Sequence, residues 1–195
     1  MESKRELRRR MGLLRATWPA EQQARWSRAI GEHLLALPVV AAARTVFTYI
    51  SVAGEPDTHE LIGQFLASGR TVAVPWMVEG GRAMEAGRIG GLDECVATAA
   101  SHGIAQPRDF KPLAGPPDIA LVPGVAFTAG GLRLGRGGGH YDRYLAAHPG
   151  VVALGLAFEG QMVAELPVEA HDRGVQWVVT PQRAVFTGSG LAAQE

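Results

Sequence analysis

The sequence contains one cysteine, Cys95, so the chain cannot form a disulfide within itself. It also has no surplus of charge, because 19 lysines and arginines balance 19 aspartates and glutamates, which argues against a broad surface for nucleic acid. No apolar run is long enough to cross a membrane, and the basic N-terminus lacks the apolar segment of a secretory signal. These absences favour a reducing compartment, with the cytoplasm as the expected location and with neither nucleic acid nor membrane as a partner.

Several catalytic motifs are absent as well. There is no Gly-x-Ser-x-Gly turn for a nucleophilic serine, and Cys95 has no recognisable histidine partner. Nucleophilic acyl chemistry is therefore not expected. The six histidines are scattered and lack the paired spacing of a zinc site. A transition-metal site remains an alternative that the spacing does not fix, and it would draw on His140, Asp142, His171 and Asp172.

The most distinctive feature that is present is the glycine-rich stretch 130–144. It holds six glycines, three arginines and one aspartate, and it lies between an apolar run and a predicted helix. Glycine lets backbone N–H groups face a ligand, and such groups at a helix N-terminus bind anions. Arginines add donors for phosphate, and Asp142 could hold a divalent metal against it. The stretch predicts a phosphate-binding loop, with a nucleotide as the leading ligand.

Two well-known nucleotide motifs do not fit this stretch. Gly135-x-Gly137 is followed by His140 where the dinucleotide fingerprint needs a third glycine, and no Gly-Lys-Ser/Thr completes a Walker A loop. A flexible surface loop is the alternative. Against it, the stretch carries Arg133 and Leu134 rather than the serine-rich filler of a linker.

The N-terminus concentrates positive charge, since residues 1–15 hold six lysines or arginines and only two glutamates. Ser3 and Glu6 have the spacing of a capping box, and the apolar positions that follow predict an amphipathic helix over residues 4–16. Lys4 and Arg8 stand one turn apart on that helix, so both could reach the same anion. A solvated helix face is the other interpretation of this pair.

The rest of the chain alternates between predicted strands and helices, which is typical of a parallel α/β sheet. Strands are predicted over 45–50, 71–75, 119–122, 151–157 and 175–179, and helices over 20–37, 57–69 and 141–147. The middle, 76–117, is weakly specified, with a short strand near 83–86 and a helix over 92–100. A short turn or helix is expected over 161–166, and the tail from residue 188 is expected to fray. Glu55 lies in the loop after the first strand, where ligands bind in such sheets.

Four segments, in order, resemble one known family. They are Lys4-x-x-x-Arg8, then Tyr49-Ile50-Ser51 with Glu55-x-Asp57-Thr58, then 122–127 with the run Arg133 to Arg143, and finally 154–158 with Gln161, Leu166-Pro167 and His171-Asp172. Together they resemble the 5-formyltetrahydrofolate cyclo-ligases, also called methenyltetrahydrofolate synthetases. The central run is the most specific of the four.

The resemblance implies a fold and a reaction. The fold would be a single three-layer α/β domain over residues 1–195, with a mainly parallel sheet flanked by helices, of the cyclo-ligase or NagB/RpiA-like type. The reaction would be an ATP- and Mg²⁺-dependent ring closure. ATP phosphorylates the formyl oxygen of 5-formyltetrahydrofolate, a folate nitrogen attacks the formyl carbon, and phosphate departs to leave 5,10-methenyltetrahydrofolate. A monomer acting on a reduced folate is expected.

The same resemblance implies roles for particular residues. ATP would be bound by Lys4, Arg8, Arg133, Leu134, Gly135, Arg136, Gly137, Gly138, Gly139, His140 and Tyr141. The folate would be bound by Ile50, Glu55, Arg136, Gly137, Gly138, Gly139 and His140. Catalysis would fall to Arg136, His140 and Tyr141, and Mg²⁺ to Asp142 and Asp172.

One position departs from the family pattern, which usually has Tyr-Tyr-Asp where this chain has His140-Tyr141-Asp142. A histidine can still stack and donate hydrogen bonds, so activity is expected, with a possible pH dependence. Residues 76–117 match only loosely, so folate contacts there are not assigned. Two alternatives therefore stay open: a paralogue that acts on another substrate, and a nucleotide- or folate-binding protein without catalysis.

Overall fold

The computed structural model describes residues 2–77, 83–97 and 104–188. The helices are α1 (Lys4–Ala16), α2 (Ala20–Leu35), α3 (Pro38–Ala42), α4 (His59–Ala67) and α5 (His140–Ala147). The strands are β1 (Thr45–Phe47), β2 (Thr71–Met77), β3 (Met84–Ile89), β4 (Cys95–Ala97), β5 (Ala105–Pro107), β6 (Ile119–Val122), β7 (Ala126–Phe127), β8 (Arg133–Leu134), β9 (Val152–Leu156), β10 (Trp177–Val179) and β11 (Ala184–Phe186). None of the helices in these residues is long and apolar enough to cross a membrane.

Seven of these strands form one sheet in the order β11-β10-β9-β6-β1-β2-β3. The five inner strands run parallel to one another, while β3 and β11 pair antiparallel at the two edges. Two short antiparallel pairs, β4–β5 and β7–β8, stand outside this sheet. The predicted α/β fold class with a mainly parallel sheet is confirmed.

Helices cover both faces of the sheet, which is why its inner strands are apolar on both sides. In β1, Val46 packs with buried residues of α2 and α4, while its neighbour Phe47 packs with Tyr144 of α5. The same alternation recurs along β2 and β6, because successive side chains of a strand point to opposite faces. The molecule therefore has three layers: α2, α3 and α4, then the sheet, then α5.

Helix α1 lies outside these layers and has the predicted bounds. Ser3 caps it, because its hydroxyl accepts a hydrogen bond from the Glu6 amide while the Glu6 carboxylate accepts one from the Ser3 amide. Leu7 and Met11 are buried, and they pack with Leu134 of β8 in a separate apolar cluster. The helix is therefore fixed against the β7–β8 hairpin, whose second strand, β8, lies within the glycine-rich stretch.

Several element boundaries differ from the prediction. Helix α2 ends at Leu35 rather than at residue 37, and Pro38 does not end it but begins α3, because the fixed φ of proline suits a first helical turn. The predicted helix over 92–100 is wrong for the residues described there. Leu92–Glu94 make a single 3-10 turn, and Cys95–Ala97 form β4 by pairing with β5. Residues 98–100 and the tail 189–195 lie outside the described residues.

Candidate functional site

A pocket of about 250 Å³ opens at the carboxyl ends of β1, β2 and β6. Ligands of open α/β sheets bind at this edge. The lining residues are Tyr49, Ile50, Val52, Glu55, Pro75, Met77, Met84, Ile104, Pro123, Gly124, Arg133, Gly135, Arg136, Gly138, Gly139, His140, Tyr141 and Asp142. One wall is apolar, formed by β2, β3 and Ile104. The opposite wall is the glycine-rich stretch, and it carries the charges.

The loop after β1 is held in one conformation by its own hydrogen bonds. The buried Tyr49 hydroxyl donates to the Pro56 carbonyl at 2.9 Å, and the Thr58 hydroxyl donates to the Tyr49 carbonyl at 2.7 Å. Within the loop, the Val52 amide donates to the Glu55 carboxylate at 3.2 Å. These bonds fix the Glu55 side chain in the pocket wall, where the residue is only 9% exposed.

Glu55 joins this loop to the glycine-rich stretch through an ion pair. The Arg136 guanidinium donates to a Glu55 carboxylate oxygen at 2.6 Å. The Arg136 side chain is 55% exposed, so one partner is buried and the other extends toward solvent. A buried carboxylate needs such a partner, because an unpaired buried charge is strongly destabilising.

Arg133 and Tyr141 leave polar atoms unsatisfied beside the pocket. The Arg133 side chain is 3% exposed and donates to Asp142 at 2.7 Å, with its guanidinium 5.7 Å from the centre of the Tyr141 ring. The Arg133 Nε and the Tyr141 hydroxyl are both buried without a hydrogen-bond partner among the described residues. Burial, and to a lesser extent the Glu55 charge, raises the pKa of Tyr141, so its hydroxyl keeps its proton. Buried polar atoms without partners mark places where a ligand can supply the missing bond.

The N-terminus of α5 faces the pocket without a side-chain cap. Gly139 occupies the N-cap position with φ 66°, in the left-handed region that favours glycine, and it has no side chain with which to cap the helix. Helix amides left in this way form an anion site. Arg143 holds the turn before the helix, because its guanidinium donates to the Gly138 carbonyl at 2.9 Å and contacts His140 at 3.3 Å.

Two cations of α1 reach the glycine-rich stretch and the loop before β10. The Arg8 Nε donates to the Gly135 carbonyl at 2.8 Å. The Lys4 ammonium lies 2.7 Å from Asp172 and 3.3 Å from Glu169. Burial alone would raise the pKa of Asp172, but hydrogen bonds from Lys4 and the Glu169 amide hold that pKa below its usual value.

The two carboxylates predicted for Mg²⁺ lie on adjoining segments. The amide of Arg173, the residue after Asp172, donates to Asp142 Oδ1 at 3.1 Å. Each carboxylate accepts hydrogen bonds on one oxygen, Oδ1 in Asp142 and Oδ2 in Asp172, and within the described chain neither accepts one on the other. Carboxylate oxygens suit a hard divalent cation, so these residues fit Mg²⁺.

The alternative transition-metal site is not supported. Among the described residues, the metal-ligating group that comes together is Glu169, His171 and Asp172, within 4.8 Å of one another. His140 and Asp142 are not part of it. Two of its three members are carboxylates, which are hard oxygen donors rather than the ligands that transition metals prefer.

Ten of the predicted site residues line the pocket, and five do not. The ten are Ile50, Glu55, Arg133, Gly135, Arg136, Gly138, Gly139, His140, Tyr141 and Asp142. Of the five others, Lys4, Arg8 and Asp172 lie at the edge formed by α1, and a Cβ on Gly137 would stand 3.5 Å from the Arg8 guanidinium. Leu134 turns its side chain into the apolar cluster with α1, so only its backbone can face a ligand.

The sequence did not reveal eight lining residues. Four of them lie in segments that follow a strand, so the rule that ligands bind at carboxyl ends could have found Tyr49, Val52, Pro123 and Gly124. Pro75 lies within β2 and carries no such signal. Gln161 also has an indirect part, because its buried amide donates to the Gly124 carbonyl at 2.8 Å and fixes the turn after β6. For Met77, Met84 and Ile104 the sequence holds no signal that separates a pocket wall from a core.

Comparisons with known proteins show the family of the chain. The model of the 5-formyltetrahydrofolate cyclo-ligase family matches residues 1–181. The 5-formyltetrahydrofolate cyclo-ligase of Escherichia coli (strain K12) is 35% identical over 180 residues, which cover 87% of this chain and 94% of the relative. A probable 5-formyltetrahydrofolate cyclo-ligase of Caenorhabditis elegans is 30% identical over 185 residues, with 88% and 89% covered.

A solved structure extends the likeness to three dimensions. The NMR structure of Aquifex aeolicus 5,10-methenyltetrahydrofolate synthetase matches with a TM-score of 0.83 at 28% identity, and the match covers 98% of this chain and 96% of that one. The chain is therefore an enzyme, a ligase, and belongs to the 5-formyltetrahydrofolate cyclo-ligase family.

Proposed function

We propose that this chain uses ATP and Mg²⁺ to convert 5-formyltetrahydrofolate into 5,10-methenyltetrahydrofolate, with release of ADP and phosphate. The observation that carries the proposal is the construction of the pocket. The pocket has a volume of about 250 Å³, with an apolar wall and a buried carboxylate on one side and the glycine-rich loop on the other. The chain that holds it belongs to the cyclo-ligase family. A flat heterocycle and a polyphosphate need these two kinds of surface side by side.

The folate fits the wall formed by β1, β2 and β3. Ile50, Met77 and Met84 offer apolar contacts to a ring system, and methionine adapts well to such shapes. The Glu55 carboxylate would accept hydrogen bonds from the N–H groups of the pterin ring. Because the loop around Glu55 is fixed before the ligand arrives, little conformational entropy is lost on binding.

ATP phosphates fit the opposite wall. The uncapped amides of α5 and the backbone of Gly135–Gly139 supply neutral donors, while Arg8 and Arg133 supply charge. Lys4 stands at the same edge beside Asp172. Leu134 would contribute through its backbone alone, since its side chain is buried in the cluster with α1.

The chemistry follows from placing the formyl group between these walls. The formyl oxygen attacks the γ-phosphorus and ADP leaves, so the oxygen becomes part of a good leaving group. The second folate nitrogen then attacks the formyl carbon and loses its proton, and the carbon–oxygen bond breaks to release phosphate. Arg136 would neutralise charge on the transferred phosphoryl group. The Tyr141 hydroxyl and the His140 ring would orient the reacting oxygens as hydrogen-bond donors.

Asp142 and Asp172 would hold Mg²⁺, which supplies neutralisation of phosphate charge when it is bound. In the structure the two carboxylates accept hydrogen bonds from Lys4 and Arg133. We further propose that the chain works as one domain and as a monomer in the cytoplasm, the last because its single cysteine suits a reducing compartment.

A spectrophotometric assay tests the proposal. Purified protein with 5-formyltetrahydrofolate, ATP and Mg²⁺ should produce the near-ultraviolet absorbance of the methenyl product, and omission of ATP should abolish it. Glu55→Gln should raise KM for the folate about tenfold, because a charged acceptor is lost, while the exposed Glu60→Gln on α4 serves as the matched control. No product under conditions where ATP still binds would favour a paralogue with another substrate or a binding protein without catalysis.

A further inference from the structure

Arg15, in the last turn of α1, lies against the loop that carries Glu55. A Cβ built on Gly54 would stand 3.1 Å from the Arg15 Nε and 3.2 Å from its Nη2. Gly54 has φ +80°, a conformation that other residues rarely adopt, so glycine here serves both the turn and the close approach of the guanidinium. The C-terminal end of α1 is thus pressed onto the residue immediately before Glu55.

Arg15 differs from the other cations around the pocket. Arg8, Arg133 and Arg136 each donate to a carbonyl or a carboxylate. The half-buried Arg15 guanidinium makes no hydrogen bond or ion pair with any residue that the structure describes. Burial lowers the pKa of the Arg15 guanidinium, the charge of Glu55 raises it, and Arg136 lowers it, yet an arginine remains protonated at neutral pH. The Arg15 guanidinium therefore acts on the Glu55 charge from beside Gly54, while Arg136 pairs with the carboxylate directly.

This excess of positive charge matters because Arg136 has two tasks. In the proposed reaction it neutralises a phosphoryl group, but here it is paired with Glu55 at 2.6 Å. Its side chain is exposed enough to turn away. Were it to do so, Glu55, at 9% exposure, would be left as a buried carboxylate without an ion-pair partner, and such a charge is strongly destabilising.

We propose that Arg15 is a positioning residue that keeps Glu55 charged and in place when Arg136 leaves it for the phosphoryl group. The inference rests on the proposed function, because that function gives Arg136 its second task. Arg15 does not touch the reacting atoms. It acts through Glu55 and the loop that carries Glu55, and it lies outside the four segments that resemble the family.

Chemical unfolding in two backgrounds tests the inference without any substrate. Arg136→Met imitates the departure of Arg136 from Glu55. We expect Arg15→Met to raise the unfolding equilibrium constant about tenfold more in the Arg136→Met background than in the wild type, since groups that share a partner couple by about this much. When Glu55→Gln is added, the difference between the two backgrounds should vanish. Arg9→Met, on the exposed face of the same helix, is the matched control and should act equally in both.

The opposite results would overturn the inference. An equal effect of Arg15→Met in both backgrounds, or a difference that survives Glu55→Gln, would mean that Arg15 only packs α1 against the loop. Should Arg15→Met with Arg136→Met fail to fold, Arg15→Lys replaces it in that background. Recovery of folding by the lysine supports a role of charge, and failure to recover assigns Arg15 to packing.

Kinetics supply the second arm. In the otherwise wild-type enzyme, Arg15→Met should lower kcat severalfold, with a smaller change in KM for ATP, and Arg15→Lys should restore part of the loss. An unchanged kcat would contradict the positioning role. The unfolding arm uses no substrate, so a wild-type protein without cyclisation activity would refute the proposed function while leaving the coupling between Arg15, Arg136 and Glu55 measurable.

Discussion

The Tyr141 hydroxyl is a single group whose effect on ligand binding can be measured separately from its effect on stability. This hydroxyl is buried beside the pocket and has no hydrogen-bond partner among the described residues. No hydrogen bond of this hydroxyl therefore stabilises the fold. We therefore expect Tyr141→Phe to leave the free energy of unfolding unchanged or slightly higher, because an unsatisfied polar atom is removed. Turnover should fall by about tenfold or more, since a donor to the ligand is lost.

Tyr49→Phe is the matched control for this variant. Its hydroxyl is also buried beside the pocket, but it donates to the Pro56 carbonyl at 2.9 Å. Its loss should cost about 1 kcal/mol of stability, because a bond that folding makes is removed. Denaturant unfolding and steady-state kinetics on both variants measure these changes in stability and turnover. A Tyr141→Phe enzyme with wild-type turnover and reduced stability would make that hydroxyl structural.

At this scale the sequence predicts charged residues of the site better than apolar ones. Glu55 and Arg136 could be found because one lies in the loop after a predicted strand, where ligands bind, and the other lies in the glycine-rich stretch. The apolar wall could not be found, since Met77 and Met84 are apolar like the residues of the core. They differ from core residues only because they line the pocket. The pairing of Glu55 with Arg136 joins residues 81 positions apart, and nothing in the local pattern specifies it.

Helix α1 is the element on which the charged edge of the site depends. It carries Lys4, Arg8 and Arg15 along one side, and its first turn is held by the capping box of Ser3. Ser3→Ala removes the acceptor for the Glu6 amide, so we expect a loss of about 1 kcal/mol in unfolding free energy. In this variant the first turn of α1, which carries Lys4, should fray. KM for ATP should therefore rise more than KM for the folate.

Ser3→Asp is the control for this prediction, since an aspartate also accepts hydrogen bonds from helix amides. It should keep both the stability and the KM for ATP close to the wild-type values. Equal rises in both KM values after Ser3→Ala would show that the loss is global and that α1 does not serve the nucleotide edge in particular.

Elements with a strong local pattern were predicted well, and elements formed by pairing were not. The bounds of α1 and β6 agree with the structure because a capping box and a short continuous apolar run signal them locally. The helix predicted over 92–100 is wrong because β4 exists only through its pairing with β5. The strand β8 inside the glycine-rich stretch was missed for the same reason, as it pairs with β7 across a turn.

Across the whole molecule, both carboxylates proposed for the metal are paired with cations proposed for phosphate. Asp142 accepts from Arg133 and Asp172 from Lys4, each at 2.7 Å. If phosphate takes either cation, a partly buried carboxylate loses its partner, unless a metal ion replaces the cation at the same time. We therefore expect the metal and the nucleotide to bind together much more tightly than either binds alone.

Calorimetry with ADP as the probe measures this coupling. Mg²⁺ should lower the Kd of ADP by about tenfold or more, and by thermodynamic reciprocity ADP should lower the Kd of Mg²⁺ by the same factor. Asp142→Asn should reduce that factor towards one, because Arg133 is then released to phosphate without leaving an unpaired charge behind. In the same variant, binding of ADP without metal should tighten. A metal effect that persists in Asp142→Asn, with unaltered metal-free binding, would place the ion elsewhere and leave the Arg133–Asp142 pair as a purely structural link between β8 and α5.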